Sequence, residues 1–430
     1  MNDIRRTVLW VIFGFSMVLL WDQWQIYNGH KATFFPKPEP KVEAAVNPSS
    51  SNSAAVPTAS VAQTAVPAQQ TTQATHAQTA PRQSVDVQTD VLKLRFDSEG
   101  AAVTRAELLK HRNDQNHNEN VVLFDESSAR VYMAQTGLIG QVGIQWPTHK
   151  TPMTLRAGPT ELKEGQDELK LVFESATQDG IQLIKTYTLK RGSYEIEVNH
   201  AIINKGQQTL APQLYVQLVR DGNKPAGESS FYSTFTGPAV YTETQKYQKV
   251  EFEKIKKKSA EYEKSATTGY IAMVQHYFAS AWVLPDGMKR DIALDAVDIG
   301  ASTPDCCYRV TMIAPLEELK PGATTQTKAK LYVGPQEEKK LEAIYPGLEL
   351  VKDYGWLTIL AKPLFWLLDQ LYKVLQNWGW SIVALVVLLK AAFYWLNAQA
   401  YRSMAKMKAI NPRIMEMRER LKDNPQQMQM

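Results

Sequence analysis

Two apolar runs bracket this chain, and the charges beside them restrict how it can be arranged. The second is the more constraining. Residues 378–398 read WGWSIVALVVLLKAAFYWLNA, with aromatic residues at both ends and one interior charge, Lys390. About 20 helical residues cross the hydrocarbon of a bilayer, and Trp and Tyr favour its two interfaces. Beyond the run, Arg402, Lys406, Lys408, Arg413, Arg418, Arg420 and Lys422 outnumber Glu416, Glu419 and Asp423. Positive residues flanking a membrane helix stay in the cytoplasm, so the tail is predicted inside. The first run, TVLWVIFGFSMVLLW at 7–21, follows Arg5 and Arg6 and places the N-terminus inside as well. A cleaved signal peptide requires small residues where Trp21, Trp24 and Tyr27 stand, so this run reads as an uncleaved anchor. Both ends then face the cytoplasm and everything between the runs lies outside.

The bulk of the chain is water-soluble in character. Hydrophobic residues make up 44% and charged residues 21%, and the net charge of +4 is too small to suggest nucleic acid as a general partner. The expected divisions are an anchor at 1–28, a disordered linker at 29–84, an outer β domain at 85–340, a connecting and interfacial helix at 341–376, a second transmembrane helix at 377–399 and a cytoplasmic amphipathic helix at 400–430. From Pro36 the linker holds Ala, Pro, Ser, Thr, Gln and Val without one aromatic residue, too little apolar surface to order itself. Past it, alternation begins: Leu92, Leu94, Phe96; Tyr187, Leu189; Tyr194, Ile196, Val198; Leu214, Val216, Leu218. Period two with one apolar face predicts half-buried strands. Turn residues at 97–100, 190–193, 204–206, 221–223 and 285–287 punctuate them, and together they predict a sandwich or a barrel.

Cys306 and Cys307 are the only cysteines, and neighbours rarely bridge, so two packed thiols are expected. No Walker loop, Rossmann fingerprint, nucleophile elbow or zinc motif occurs. The chain is therefore expected to have no catalytic residue, metal or cofactor. His111 and His117 read as parts of a surface loop, and the lysine-rich stretch 242–264 as a solvated surface element.

Leu357, Leu360, Leu364, Leu367, Leu368 and Leu371 recur at helical spacing, while Lys362, Pro363 and Asp369 argue against a buried span. The segment fits a helix in the outer interface, or a core helix of the outer domain. Lys390 follows Trp378 by twelve residues, so about 18 Å of helix places it in the inner half of the bilayer. Insertion there costs about 2.5–3.5 kcal/mol. Either the ammonium snorkels to the cytoplasmic surface, or it faces a hydrated cavity that one helix cannot form. In the tail, Met407, Ile410, Ile414, Met417 and Leu421 make an apolar stripe. Met404, Met407 and Met417 add soft side chains suited to varied hydrophobic partners.

The chain resembles the YidC family of membrane protein insertases along nearly its whole length. The likeness rests on 235–239 (FTGPA) with Lys246-Tyr247, 268–282 (TGYIAMVQHYFASAW), Gly334-Pro335, Asp353-Tyr354-Gly355-Trp356, Asn377-Trp378-Gly379, 401–407 (YRSMAKM), Pro412 and 417–421 (MRERL). The resemblance implies an α+β membrane protein of the bacterial inner membrane, with an N-terminal transmembrane helix, a large periplasmic β-supersandwich, an interfacial helix and the first helix of the insertase core. It implies insertion of nascent membrane proteins, alone or with the Sec translocon and its accessory subunits, through a positively charged groove open to lipid. Lys390 stands where the family carries an arginine; it keeps the charge and loses the planar fork. The tail, with Met404, Met407, Arg413, Met417, Arg418 and Arg420, matches the start of a cytoplasmic hairpin near the ribosome and targeting receptor. The stripe runs to Met430 without a stop signal, so a C-terminally truncated member is expected, lacking the rest of the hairpin and four further membrane helices. A competing reading is a membrane-tethered periplasmic domain that binds glycan, with Tyr277 or Trp282 stacking on a sugar, or one that serves as a scaffold.

Overall fold

A computed structural model describes residues 82–420 apart from 129, 157, 226–233, 299–305 and 356–357. The expected anchor at 1–28, nearly all of the linker at 29–84 and the tail past 420 lie outside the described residues.

The alternating segments fold into two nine-stranded antiparallel sheets. The first runs β1 (Ser84–Gln88), β2 (Leu92–Asp97), β3 (Val103–Arg112), β4 (Asn120–Glu126), β5 (Val131–Ile139), β10 (Gln213–Arg220), β17 (Tyr308–Pro315), β16 (Arg290–Ala296) and β13 (Ser265–Ala266). The second runs β12 (Lys246–Lys249), β11 (Gly237–Thr242), β14 (Tyr270–Gln275), β15 (Phe278–Val283), β18 (Thr324–Pro335), β9 (Glu195–Asn204), β8 (Ile181–Lys190), β7 (Glu168–Ser175) and β6 (Met153–Leu155). Each predicted turn falls where a strand ends.

The sheets share one core, so the domain is a sandwich and not a barrel. Phe96 of β2 meets Phe173 and Tyr187 of the other sheet at ring distances of 5.6 and 4.8 Å. The indole of Trp282 donates to the Gln217 carbonyl across the interface at 3.0 Å. Trp282 is thus a packing residue, 1% exposed.

Period two is visible where one face alone is covered. In β8 and β9, buried and half-buried residues alternate strictly. The centre of the first sheet departs from it: β5 is buried throughout, and β10 except at Gln213. Its outer face is covered too. The His149 amide and ring bond the Tyr215 hydroxyl at 2.9 and 2.7 Å, and Val131, Met133, Val219 and Cys307 form a second small cluster. Cys306 packs against the same cluster as Cys307.

The domain extends past its expected end at 340. Helix α1 (Phe252–Lys256) lies within it, and α2 (Glu338–Ile344) with the 3-10 turn Leu348–Val351 closes it. Leu341, Tyr345, Leu348 and Val351 join the main core, where Tyr345 sets its edge against the stacked Tyr241–Tyr270 pair. At the near edge, β1 starts at Ser84, inside the expected linker.

Three helices follow: α3 (Thr358–Leu375), α4 (Trp378–Ala392) and α5 (Tyr394–Arg420). Helix α3 buries none of its residues and exposes Ile359, Leu360, Trp366 and Val374, so it is not a core helix of the β domain. Asn377 caps α4 by accepting from the Trp380 amide at 3.2 Å, and Trp378 stacks on Tyr372 across the turn at 4.0 Å. The expected continuous helix at 377–399 is interrupted. The helix ends at Ala392 and a new one begins at Tyr394. Among the described residues no single helix is long and apolar enough to cross a membrane, although the pair Trp378–Ala392 and Asn397–Glu416, bent by 57°, passes together.

Candidate functional site

Lys390 sits on the last turn of α4, two residues before the break, and its side chain is exposed. The rest of α4 also exposes large apolar groups, among them Trp380, Ile382, Val387 and Leu388, and buries only Ser381. An apolar helix with bare flanks and a single ammonium matches the composition of a lipid-facing segment. Met404 and Met407 are exposed on α5, 57% and 67%, beyond the bend. Arg413, Met417, Arg418 and Arg420 follow on the same helix. The predicted contact residues therefore share one helix, and Lys390 lies on another.

The β domain is fastened to the helices by charge. Lys339 of α2 bonds Asp369 of α3, and Lys373, one turn on, lies 3.5 Å from the same carboxylate. The hydrogen bond from Lys339 holds the Asp369 carboxyl below its ordinary range. Lys352 places its ammonium 3.8 Å from the Phe365 ring centre, a cation–π contact onto α3. The strap at 351–355 is pinned to the domain in turn. Asp353 pairs with Lys249, and the Tyr354 hydroxyl donates to Glu338 at 2.9 Å.

Beneath that strap opens a cleft of about 750 Å3. Its walls come from stretches quoted above for the resemblance (Phe235, Tyr247, Gln275–Phe278, Pro335 and Asp353–Gly355), with Lys249 beside them. His111 completes one side. The expectation of a loop at His111 is corrected: it lies in β3, with its ring 5.6 Å from that of Phe278 and 5.9 Å from that of Tyr194. Burial lowers its imidazole below the ordinary histidine range. Tyr277, at the β14–β15 turn, is 62% exposed with φ +68°, and its ring meets His276 at 3.6 Å. Apart from His111 and Tyr277, none of the cleft residues was singled out individually in the sequence. Their signal was membership of distant family-like stretches that the fold gathers. Among the described residues, no group of three or more His, Cys, Asp or Glu is placed to hold a metal.

Comparison with known proteins gives a consistent result. Residues 84–367 match the family model of the YidC periplasmic domain, and 370–430 that of the 60Kd inner membrane protein. The membrane protein insertase YidC of Janthinobacterium sp. (strain Marseille) is 46% identical over 429 residues, covering 99% of this chain and 74% of the relative. That of Ralstonia nicotianae is 48% identical with the same coverage. Among solved structures, a galactose mutarotase-like protein from Clostridium acetobutylicum aligns with a TM-score of 0.37 at 9% identity, covering 59% of this chain and 98% of the other.

Proposed function

The chain belongs to the YidC family of membrane protein insertases, and on that premise we propose that it inserts and folds nascent inner-membrane proteins, alone or with the Sec translocon. The observation that carries this is the match to insertases over 99% of the chain. The proposed arrangement is multi-pass in the inner membrane, N-terminus in the cytoplasm and β domain in the periplasm, with the linker at 29–84 as a tether.

The work done is thermodynamic. Drawing a polar, often acidic, segment of a substrate into the bilayer exposes it to a medium that cannot solvate it. A hydrated ammonium in the inner leaflet lowers that cost by Coulomb attraction, and the hydrophobic segments of the substrate then partition into lipid. No bond is made or broken, and no cofactor is needed. Lys390 is the proposed cation. As the lone charge of α4 it has the required sign, although a point charge does not grip a carboxylate in two places as guanidinium does. On α5, Met404, Met407 and Met417 supply adaptable apolar contact. Arg413, Arg418 and Arg420 supply positive charge toward the ribosome and the targeting receptor.

A photocrosslinker in place of Lys390, challenged with ribosome-bound nascent chains of a short membrane protein, tests the assignment. Crosslinks that move along the substrate as it lengthens are expected. Crosslinks to lipid and neighbouring helices alone would mean that Lys390 snorkels, and its role would be withdrawn.

A further inference from the structure

A second recess of the β domain, of about 460 Å3, lies where the lysine-rich stretch folds back on β16. Three chain segments make it: the end of α1, residues 260–264, and Leu294–Ala296 of β16. Each is fixed from behind. Ile255 of α1 is 3% exposed in the main core, and Phe252 stacks on Tyr308 at 4.4 Å. The Ile292 amide donates to the Lys264 carbonyl at 2.7 Å and holds that segment against β16. Long side chains therefore reach the recess from a rigid frame.

The charge of the recess is one-sided. Lys256, Lys258 and Lys264 line it against one carboxylate, Asp295, which is itself bonded by Arg309 at 3.0 Å. Among the described residues neither Lys258 nor Lys264 forms an ion pair. Three ammoniums on flexible stems repel a cation and attract an anion. Lys258 also stands where the backbone favours glycine. Its φ is +54°, and its amide and that of Ser259 donate to the Ile255 and Lys254 carbonyls at 3.0 and 2.9 Å, closing α1. A lysine there gives up stability that glycine would keep, and what it adds is an ammonium at the recess. Tyr262 supplies a further donor. Its hydroxyl accepts the Leu294 amide at 3.1 Å, and burial holds it above the ordinary tyrosine range, so it keeps its proton for a ligand.

We propose that this recess binds a phosphate group, with Lys258 and Lys264 as its principal cations and the Tyr262 hydroxyl as a neutral donor. A phosphate spreads its negative charge over several acceptor oxygens that face different directions, which suits separate ammoniums converging from different segments. A planar carboxylate suits the fork of an arginine instead, and among the described residues no arginine lines the recess. The same group arrives either as free phosphate or as the headgroup of an anionic phospholipid.

The test is lysine acetylation read by peptide mass spectrometry, on the whole chain in phosphatidylcholine nanodiscs. Rates at Lys258 and Lys264 are compared in inorganic phosphate and in chloride of equal ionic strength. Lys254 and Lys257, exposed and outside the recess lining, are the internal references. A second arm omits phosphate and dopes the nanodiscs with phosphatidylglycerol. A third supplies tetraglutamate in place of phosphate. Slowing of about fivefold at Lys258 and Lys264, and not at the references, is expected. In Lys258→Gly the protection of Lys264 should be lost. Glycine relieves the left-handed backbone, so an unchanged or raised melting temperature separates lost binding from lost fold. Response in the first arm identifies soluble phosphate, and response confined to the second a lipid headgroup. Equal slowing at all four lysines would mean screening alone and overturns the proposal. So do unchanged rates in both the phosphate and the phosphatidylglycerol arms, protection of Lys264 that survives Lys258→Gly, and protection as strong in tetraglutamate as in phosphate. None of these outcomes bears on insertion through Lys390.

Discussion

Lys339 donates to both carboxylate oxygens of Asp369, at 2.9 and 2.8 Å, and so ties the closing helix of the β domain to α3. Asp369→Asn removes one side of this tie and leaves the β core untouched. Amide exchange in α3 is expected to quicken several-fold while that of β8 and β9 stays as it was. The difference should fade as salt is raised, because the pair is reached by solvent. Exchange mass spectrometry in nanodiscs reads both, and an unchanged α3 would show that the pair carries no coupling.

Lys185 is fully buried between the sheets and donates to the Gly100 and Thr136 carbonyls at 2.7 and 2.8 Å. Burial pushes its ammonium down to about 7. Its folded value lies below its unfolded value, so between about pH 7 and the ordinary lysine range the unfolded chain holds the extra proton. Stability from this group should therefore rise with pH across that window and be lowest below it. Lys185→Met is expected to flatten the slope and to add on the order of 1–3 kcal/mol at pH 6. Denaturant midpoints taken at pH 6 and pH 9 decide it; parallel profiles for the two proteins would refute the assignment.

Arg290 is 0% exposed and gathers five carbonyls: Met288, Gly269, Leu284, Thr267 and Pro285. Arg290→Met strands them around an apolar side chain, at a loss of roughly 2–4 kcal/mol. Arg290→Lys keeps the charge but cannot span the fork, so it should recover less than half of the loss. Thermal melts of the three proteins provide the comparison, and full recovery by lysine would show that charge alone matters there.

Gly269 has φ +102°, and a Cβ there would overlap the Tyr241 carbonyl oxygen. Gly269→Ala must push β11 and β14 apart beside the Tyr241–Tyr270–Tyr345 cluster. A loss of roughly 2–4 kcal/mol is expected. The near-ultraviolet tyrosine signal should broaden with it, and a wild-type melting temperature would contradict the clash.

Much of the sandwich was legible because a half-buried strand writes its period into the sequence. Leu92, Leu94 and Phe96 alternate with Lys93 and Arg95, and β2 follows. That logic weakens in β5 and β10, where both faces are covered and the second covering comes from the distant His149 loop and Cys307. His111 was misread because a polar stretch follows it, whereas its ring is placed by Tyr194 and Phe278, far along the chain. The cleft was invisible for the same reason: Gln275 and Tyr247 come to line one cleft only through the pairing of β12 with β11 and of β11 with β14. Lys390 stood out at once, since an ammonium in an apolar run needs no fold to be conspicuous. The break at Phe393 has neither proline nor glycine to announce it.

The position of β18 also sets an order of events. It is the last strand in sequence, yet it lies inside the second sheet and pairs β15 on one side and β9 on the other. Until Thr324–Pro335 arrives, the β6–β9 half and the β11–β15 half of that sheet have no strand to join them. For a chain delivered N-terminus first, the domain is therefore a clasp that closes only when its final strand emerges, immediately ahead of α3 and α4. Completion of the β domain and arrival of α3 and α4 become successive moments of a single hand-over.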